Sequence, residues 1–345
     1  MNYSQNYSLK SFEIIPTRIS NVKSRKDCNT RYPDGKLPVF ISPMTCLTDE
    51  NNYQEWESAG FQPIIPRLGR LSFETKTQML KEGKWVAFGL SDVDDLKAWL
   101  ETATKTTYKI CIDVACGNMS RLLDAVTTLK NINPWVVIMT GNIANPETYI
   151  DYATHGVDYV RIGIGGGHVC TTSEGSGVHY AMGSLIQEVY KIKREIQVER
   201  FGSKTDFKSI PKIIVDGGID GTADINLALA LGADYVMIGY MAAQVDTICS
   251  QKNSNGDHLY YGMSTVRAQK EFGRTENFRI SQGTERWVTP IYSNPTELAN
   301  EIDFWLSEAM SETGHTRLYN YIGTPTVAIR SMDEYYSYHK EKMNV

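Results

Sequence analysis

Short runs of apolar and β-branched residues recur along the chain, separated by amphipathic stretches. The eight runs are VFISPM (39–44), FQPIIPR (61–67), WVAFGL (85–90), YKICIDVA (108–115), VVIMTGN (136–142), YVRIGIG (159–165), KIIVDGG (212–218) and YVMIGY (235–240). The stretches between them, such as SDVDDLKAWLETA (91–103) and TADINLALALGA (222–233), have helical spacing. Continuous apolar strands that alternate with helices are typical of parallel sheets buried on both faces. Eight of them predict an α/β fold, a closed (β/α)8 TIM barrel.

Polar and glycine-rich residues follow several of these predicted strands. They are Asp113 with Gly117, Gly141 with Asn142, residues 163–167, residues 216–218, and Gly239. Barrel enzymes build their sites from the loops after the carboxyl ends of the strands. A single glycine of this kind is about as often part of an ordinary turn as a contact to a ligand. The common position of all of them predicts a ligand site at this end.

Two connections are longer than a barrel requires. The first runs from Val169 to about Ser209, and the second, residues 244–290, follows the eighth predicted strand. Insertions at the catalytic end often cover ligands, so we interpret the first as a catalytic-loop insertion and residues 244–290 as a short flap or lid. The helical pattern PTELANEIDFWLSEAMSETG (295–314) then closes the barrel without a linker. Residues 1–345 are therefore predicted to form a single domain that carries these insertions.

Composition and charge favour a small-molecule ligand. Hydrophobic residues make up 41% and charged residues 22%, and the net charge of −5 comes from interspersed acids and bases. The chain has no block of Lys and Arg, no run of eighteen apolar residues and no pattern of a secretory signal. We therefore expect a cytoplasmic protein that binds neither nucleic acid nor membrane. The six cysteines show no CxxC spacing, so neither disulfides nor zinc are expected.

The loops after the last three predicted strands indicate a phosphate site. The loop of residues 165–167, DGGID (216–220) and GYMAA (239–243) could direct backbone N–H groups at one phosphate. Asp216, which ends the seventh strand, could accept hydrogen bonds from a diol such as a ribose. Its alternative role is to cap the following helix, which Asp220 or Thr222 could also do.

Cys170 follows the glycine run in GIGGGHVCTTSEGSGVHY (163–180). A lone cysteine is usually a small buried hydrophobe. In a polar, glycine-rich loop it could instead be a nucleophile, since backbone N–H groups stabilise a thiolate. His168, two residues away, could serve as its base, and a contact to phosphate or water is its alternative role.

Four ordered motifs resemble the inosine monophosphate dehydrogenase and guanosine monophosphate reductase family. They are GIGGGHVCTT, IIVDGGI, GADYVMIGYMAA and YYGMS, where the family has roughly GxGPGSxCTT, DGGI, GADxVMLG and YGMS. The similarity runs from about Arg18 to Thr324 in matching order.

The resemblance implies roles for individual residues. Cys170 resembles the nucleophile that attacks C2 of the purine to give a thioimidate, and Thr172 resembles the family's catalytic threonine. The purine nucleotide substrate would be held by Gly167, His168, Asp216 at the ribose, Gly218, Gly239, Tyr240, Tyr260, and Met263 with Ser264 at the base. A nicotinamide cofactor would lie near Asp113, Ala115 and Gly117, and carbonyl groups of Gly165, Gly167 and Cys170 would bind a monovalent cation, expected to be K+. Family members are usually tetramers, so a homotetramer is expected.

Several features resemble the reductase branch of this family. FRISQGT (278–284) is similar to the reductase stretch YRASEGK, no regulatory domain interrupts the chain near residue 100, and no Arg-Tyr pair follows YYGMS. The resemblance therefore implies NADPH-dependent reductive deamination of GMP, or of a related guanine nucleotide, to IMP and ammonia, with NAD as the alternative cofactor. Arg279, Ser281 and Gly283 would contact the base and the cofactor. IMP dehydrogenase-type oxidation and an enzyme for a deoxy or modified purine nucleotide stay open as alternatives.

The chain departs from the family pattern at three positions. Thr45 replaces an aspartate, His168 replaces the serine of the phosphate loop, and Gln282 replaces the glutamate paired with the catalytic threonine. An amide has no titratable proton near neutral pH, so Gln282 cannot protonate the leaving ammonia. Glu174 and Glu285 are the candidates to supply this proton.

Overall fold

The computed structural model describes residues 6–199, 208–271, 283–324 and 327–329. Its strands are β1 (Phe12–Ile14), β2 (Val39–Ile41), β3 (Gln62–Ile65), β4 (Trp85–Phe88), β5 (Lys109–Asp113), β6 (Val137–Ile143), β7 (Tyr159–Ile162), β8 (Lys212–Asp216), β9 (Tyr235–Ile238), β10 (His258–Tyr261), β11 (Glu285–Val288) and β12 (Val327–Ile329). Its helices are α1 (Tyr53–Ser58), α2 (Phe73–Lys81), α3 (Val93–Thr102), α4 (Ser120–Ile132), α5 (Thr148–His155), α6 (Thr172–Ser176), α7 (Met182–Glu199), α8 (Thr222–Leu231), α9 (Tyr240–Ala243), α10 (Val266–Glu271), α11 (Pro295–Glu312) and α12 (Leu318–Tyr321).

Strands β2 to β9 form a closed parallel barrel in sequence order, with β9 paired back to β2. Each of the eight predicted runs overlaps one barrel strand, so the predicted TIM barrel is confirmed. Seven of these strands end earlier than their runs, and β6 ends one residue later. Asp113, for example, is the last residue of β5, and the next residues already belong to the loop at the barrel mouth.

Aromatic side chains fill the end of the barrel away from this mouth. Phe40, Trp85, Tyr159 and Tyr235 lie at or near the starts of their strands, and their rings meet largely edge to face at centroid distances of 5.2–5.9 Å. Such contacts stabilise an aromatic cluster beyond the area that it buries. Further along the strands, Met237 and its neighbours in the interior form the floor on which the site rests.

The outer helices bury one apolar face each against the barrel. In α3, Leu96 and Leu100 lie one turn apart and are fully buried, and each such side chain contributes about 1.5–3 kcal/mol relative to an exposed one. The predicted closing helix is α11, whose first turn is capped by the Asn294 side chain. No helix in the described ranges is long and apolar enough to cross a lipid bilayer.

The two long connections differ in what they contribute. The first contains the 18-residue helix α7, which packs against α5 and α8 as a member of the outer ring, and its opening residues form a loop at the mouth. In the second, β10 and β11 pair as an antiparallel hairpin. Residues 272–282, which include the predicted site residues Arg279, Ser281 and Gln282, lie outside the described residues.

Candidate active site

A cavity of about 190 Å³ opens at the barrel mouth, where β2, β7, β8 and β9 end. Its wall contains ten predicted site residues: Gly167, His168, Cys170, Asp216, Gly218, Gly239, Tyr240, Tyr260, Met263 and Ser264. We call it the first cavity. These residues come from the loops after β7, β8 and β9 and from the segment around β10, so the fold brings together Cys170 and most of the predicted substrate-binding residues.

Cys170 lies half-buried in the loop after β7. Its backbone N–H donates to the carbonyl of Gly167 at 2.9 Å, and its thiol donates to Oγ1 of Thr172 at 3.3 Å. The hydrogen-bond partner of His168 is Asp220 and not the thiol. The partner of the sulfur is therefore Thr172, which stands at the start of α6.

The β10–β11 segment supports this loop from the other side. Cys170 and Gly283 form an isolated antiparallel bridge, and the N–H of Thr284 donates to the carbonyl of Val169 at 2.9 Å. A Cβ atom on Gly283 would lie 2.8 Å from that carbonyl oxygen, so the close approach requires glycine. Gly283 thus contacts the backbone beside Cys170 and is not on the wall of the first cavity.

Asp216 belongs to a chain of four alternating charges. Its Oδ2 accepts hydrogen bonds from Nε and Nη2 of Arg161 at 3.0 and 2.8 Å. Nη1 of Arg161 donates to Asp113 at 2.7 Å, and Nε of Arg67 donates to the other oxygen of Asp113 at 2.9 Å. Burial lowers the pKa of Arg161, but Asp216 and Asp113 outweigh it and hold that pKa well above its ordinary value. The guanidinium therefore stays charged between two carboxylates.

Neither Asp216 nor Asp113 caps a helix. The residue before α8 is Gly221, and no side chain caps that helix, so the alternative capping roles of Asp220 and Thr222 are wrong. Asp220 instead bonds to Lys10 and His168. Asp216 lines the first cavity, and its second oxygen, Oδ1, has no hydrogen-bond partner among the described residues.

A second cavity of about 370 Å³ lies beside the first, on the side of β2 and β3. Its wall includes Thr45, Asp49, Glu50, residues 65–66 and 68–71, residues 249–251, Leu259, Tyr261, Arg267 and Glu271. The two cavities meet at Thr45, whose Oγ1 lies 3.1 Å from the Tyr261 hydroxyl and whose N–H contacts the Met263 sulfur at 3.4 Å. No motif in the sequence indicated this space.

Residues 20–320 match the family model described as IMP dehydrogenase / GMP reductase domain. The chain belongs to the IMP dehydrogenase / GMP reductase family. GMP reductase 2 of Bos taurus is 30% identical over 288 residues, which cover 82% of this chain and 75% of that protein. GMP reductase of Ascaris suum is 27% identical over 316 residues, 90% of this chain and 81% of that protein. GMP reductase of Streptococcus gordonii is 26% identical over 345 residues, 96% of this chain and 97% of that protein.

The residues that the family resemblance assigned to the cofactor line neither cavity. Asp113 is engaged by two arginines, and Ala115 is exposed at the mouth. Gly117 is buried, and a Cβ atom there would lie 2.7 Å from both the Asn142 carbonyl and the Tyr152 hydroxyl. Its packing alone therefore accounts for glycine at this position.

The two acids proposed to replace the family glutamate also lie off the wall of the first cavity. Glu174 is exposed on α6, two residues after Thr172. Oε2 of Glu285 accepts a hydrogen bond from Nε of Arg267 at 2.8 Å. Of the two, Glu174 shares a short helix with Thr172, which contacts the Cys170 thiol.

The expected cation site would consist of backbone carbonyls. Gly165 O accepts from the Ser173 hydroxyl at 3.1 Å, and Gly167 O accepts the Cys170 N–H, so each keeps one lone pair for an ion. Among the described residues no group of His, Cys, Asp or Glu side chains could hold a metal. The loop therefore fits a monovalent cation bound by carbonyls better than a transition metal.

We predict that Arg161→Met lowers the free energy of unfolding by about 3–5 kcal/mol, because it leaves two partly buried carboxylates without their shared cation. Arg67→Met is the matched control, since it removes one contact from a more accessible pair and should cost about 1 kcal/mol. Chemical denaturation of both variants measures the difference. Equal losses would contradict a central role for Arg161.

Proposed function

We propose that this chain is a nicotinamide-dependent GMP reductase, which converts GMP to IMP and ammonia. The observation that carries the proposal is the position of Cys170 and Asp216 on one cavity wall with the glycine loops after β7, β8 and β9. The similarity to GMP reductases over most of the chain supports it.

The first cavity offers a separate partner for each part of a nucleotide. Gly218 and Gly239 line this cavity, where their backbone N–H groups would bind the phosphate, and Asp216 would offer Oδ1 to the sugar. Met263 and Ser264 line the opposite side, where the base would lie. With the nucleotide bound in this order, C2 of the purine would lie on the side of Cys170.

In the proposed reaction the sulfur of Cys170 forms a bond to C2, and the bond from C2 to the exocyclic nitrogen breaks. Ammonia leaves with an added proton, and the purine remains attached as a thioimidate. Thr172 accepts the hydrogen bond of the thiol at 3.3 Å, so it orients the sulfur and is placed to take its proton. A hydride then forms the new C2–H bond, the C2–S bond breaks, and IMP leaves with the thiolate restored.

NADPH, when bound, supplies this hydride, and the second cavity is the space that we assign to it. The cavity adjoins the base end of the first at Thr45, Tyr261 and Met263. Arg70 and Arg267 on its wall suit the phosphate groups of the cofactor, although three carboxylates share that wall. NAD is the alternative cofactor. Dependence on K+ and a homotetrameric assembly stay predictions of the family resemblance.

A second candidate is the same reaction on a deoxyribonucleotide. Oδ2 of Asp216 already accepts three hydrogen bonds, two from Arg161 and one from Asn142 at 2.8 Å. Only Oδ1 is left for the sugar, so the carboxylate cannot give each of two hydroxyls an oxygen of its own. Recognition of a single hydroxyl would accept a deoxyribose.

A substrate scan separates these functions. GMP, dGMP and IMP are each incubated with the reduced and oxidised forms of both cofactors, and the absorbance of the reduced cofactor is followed. Consumption of NADPH with GMP supports the proposal, and preference for dGMP supports the second candidate. Reduction of NAD in the presence of IMP alone would replace both by the oxidising reaction.

We predict that Cys170→Ala abolishes turnover and leaves nucleotide binding within about threefold, because the loop backbone supplies the phosphate contacts. Cys116→Ala is the matched control, since Cys116 is an exposed cysteine at the same mouth. Steady-state rates and binding isotherms give the two readouts. Turnover by Cys170→Ala near the control rate would remove the proposed mechanism.

A further prediction concerns the proton for ammonia. Glu174→Gln should lower the reductive rate by about 100-fold, the usual effect of losing a general acid, and Gln282→Glu should preserve or raise it. Glu285→Gln should have a smaller effect, because Arg267 holds that carboxylate. Glu195→Gln, on the outer face of α7, is the control for a lost surface charge. Unchanged rates in both Glu174→Gln and Glu285→Gln would show that another group or a water supplies the proton.

A further inference from the structure

Three side chains from distant parts of the sequence form a chain that ends on the wall of the first cavity. Nζ of Lys10 lies 2.5 Å from Oδ2 of Asp220, and Oδ1 of Asp220 lies 2.5 Å from Nε2 of His168. The imidazole of His168 stacks on the ring of Tyr240, with the centroids 4.2 Å apart and the planes 26° apart. His168 and Tyr240 both line the first cavity beside Gly218 and Gly239.

The hydrogen bonds fix which atoms His168 can offer to a ligand. A carboxylate only accepts, so Nε2 donates to Asp220, and Nδ1 has no partner among the described residues. Burial raises the pKa of Asp220, but the bonds from Lys10 and His168 outweigh it and hold that pKa below its ordinary value. The Asp220 carboxylate is therefore ionised at neutral pH and accepts the hydrogen bond of the imidazole.

An ionised carboxylate so close to a phosphate site would by itself repel the phosphate. The positive charge of Lys10 offsets the charge of this carboxylate. The packing of neighbouring residues fixes the position of Lys10. It lies in the 3-10 helix Leu9–Ser11, flanked by the buried side chains of Leu9 and Phe12. Phe12 packs on Gly183 of α7, so the segment is attached to the outer ring close to β8.

We propose that Lys10 and Asp220 are positioning residues for His168, and that His168 is a side chain of the phosphate subsite. The N-terminal segment then completes the nucleotide site, and the ligand class is a purine nucleoside 5′-monophosphate. The imidazole takes the place of a serine hydroxyl in the loop after β7, and the Lys10–Asp220 pair is what holds its ring against Tyr240. This inference rests on the proposed function in assuming a purine nucleotide ligand.

The test compares ligands with and without the phosphate. Dissociation constants for GMP and guanosine are measured by calorimetry for the wild-type chain and for His168→Asn, Asp220→Asn and Lys10→Met. We expect His168→Asn to weaken GMP binding about tenfold or more and the other two about three- to tenfold, with guanosine binding unchanged within about twofold. Lys10→Arg should restore GMP affinity, and Lys23→Met is the control for an exposed lysine of the same segment.

A merely structural role would weaken GMP and guanosine binding together, and that result would overturn the inference. Unchanged GMP binding in both Lys10→Met and Asp220→Asn would overturn it as well. If the wild-type chain reduces GMP, both of these results would overturn the inference and leave the proposed function supported. Inorganic phosphate is the probe that does not depend on the purine: if GMP fails to bind but phosphate raises the melting temperature of the wild type and not of His168→Asn, the inference stands and the proposed function fails. Binding of neither ligand would overturn both.

Discussion

The buried guanidinium of Arg161 is the contact on which the barrel mouth depends. It lies in β7 between carboxylates at the ends of β5 and β8, and it bonds to both. Two carboxylates at this depth would repel each other without a cation between them. Arg161 supplies that cation, and one oxygen of Asp216 is fixed by three donors where the residue lines the first cavity.

This arrangement divides the mouth into parts with different chemistry. Toward β8 and β9 the wall is made of glycine backbone, His168 and Tyr240, which suits an anion. Toward β2 it is made of Met44, Met263 and Ser264, which suits a planar base. Cys170 lies between them and is held from both sides, by Thr172 and by the bridge to Gly283. The position of Cys170 therefore follows from the packing of two loops rather than from one.

The sequence predicted the barrel because its strands are buried on both faces and appear as continuous apolar runs. Because parallel strands bring their carboxyl ends to one edge, it also predicted the glycine loops and Asp216 on the wall of the first cavity. Tyr260, Met263 and Ser264 were implied only by the family resemblance. The ion pairs were not predictable in this way, because their partners lie far apart: Arg161 and Asp216 are 55 residues apart, and Lys10 and Asp220 are 210 apart. One signal was present, however. Arg161 is a single charge within the apolar run YVRIGIG, and a charge in a buried strand requires a partner. The role of Gly117 could not be decided from the sequence, because a glycine that packing requires looks the same there as one that contacts a cofactor.

The most direct test of this account is detection of the bond between Cys170 and the purine. Protein mixed with GMP is quenched in acid without added cofactor, and the peptide that contains Cys170 is examined by mass spectrometry, with the released ammonia measured in the same sample. We expect a purine nucleotide attached to Cys170 and one ammonia released for each adduct formed. A preparation that reduces GMP when NADPH is present, yet shows neither an adduct on Cys170 nor ammonia release under quench at any time, would contradict the account.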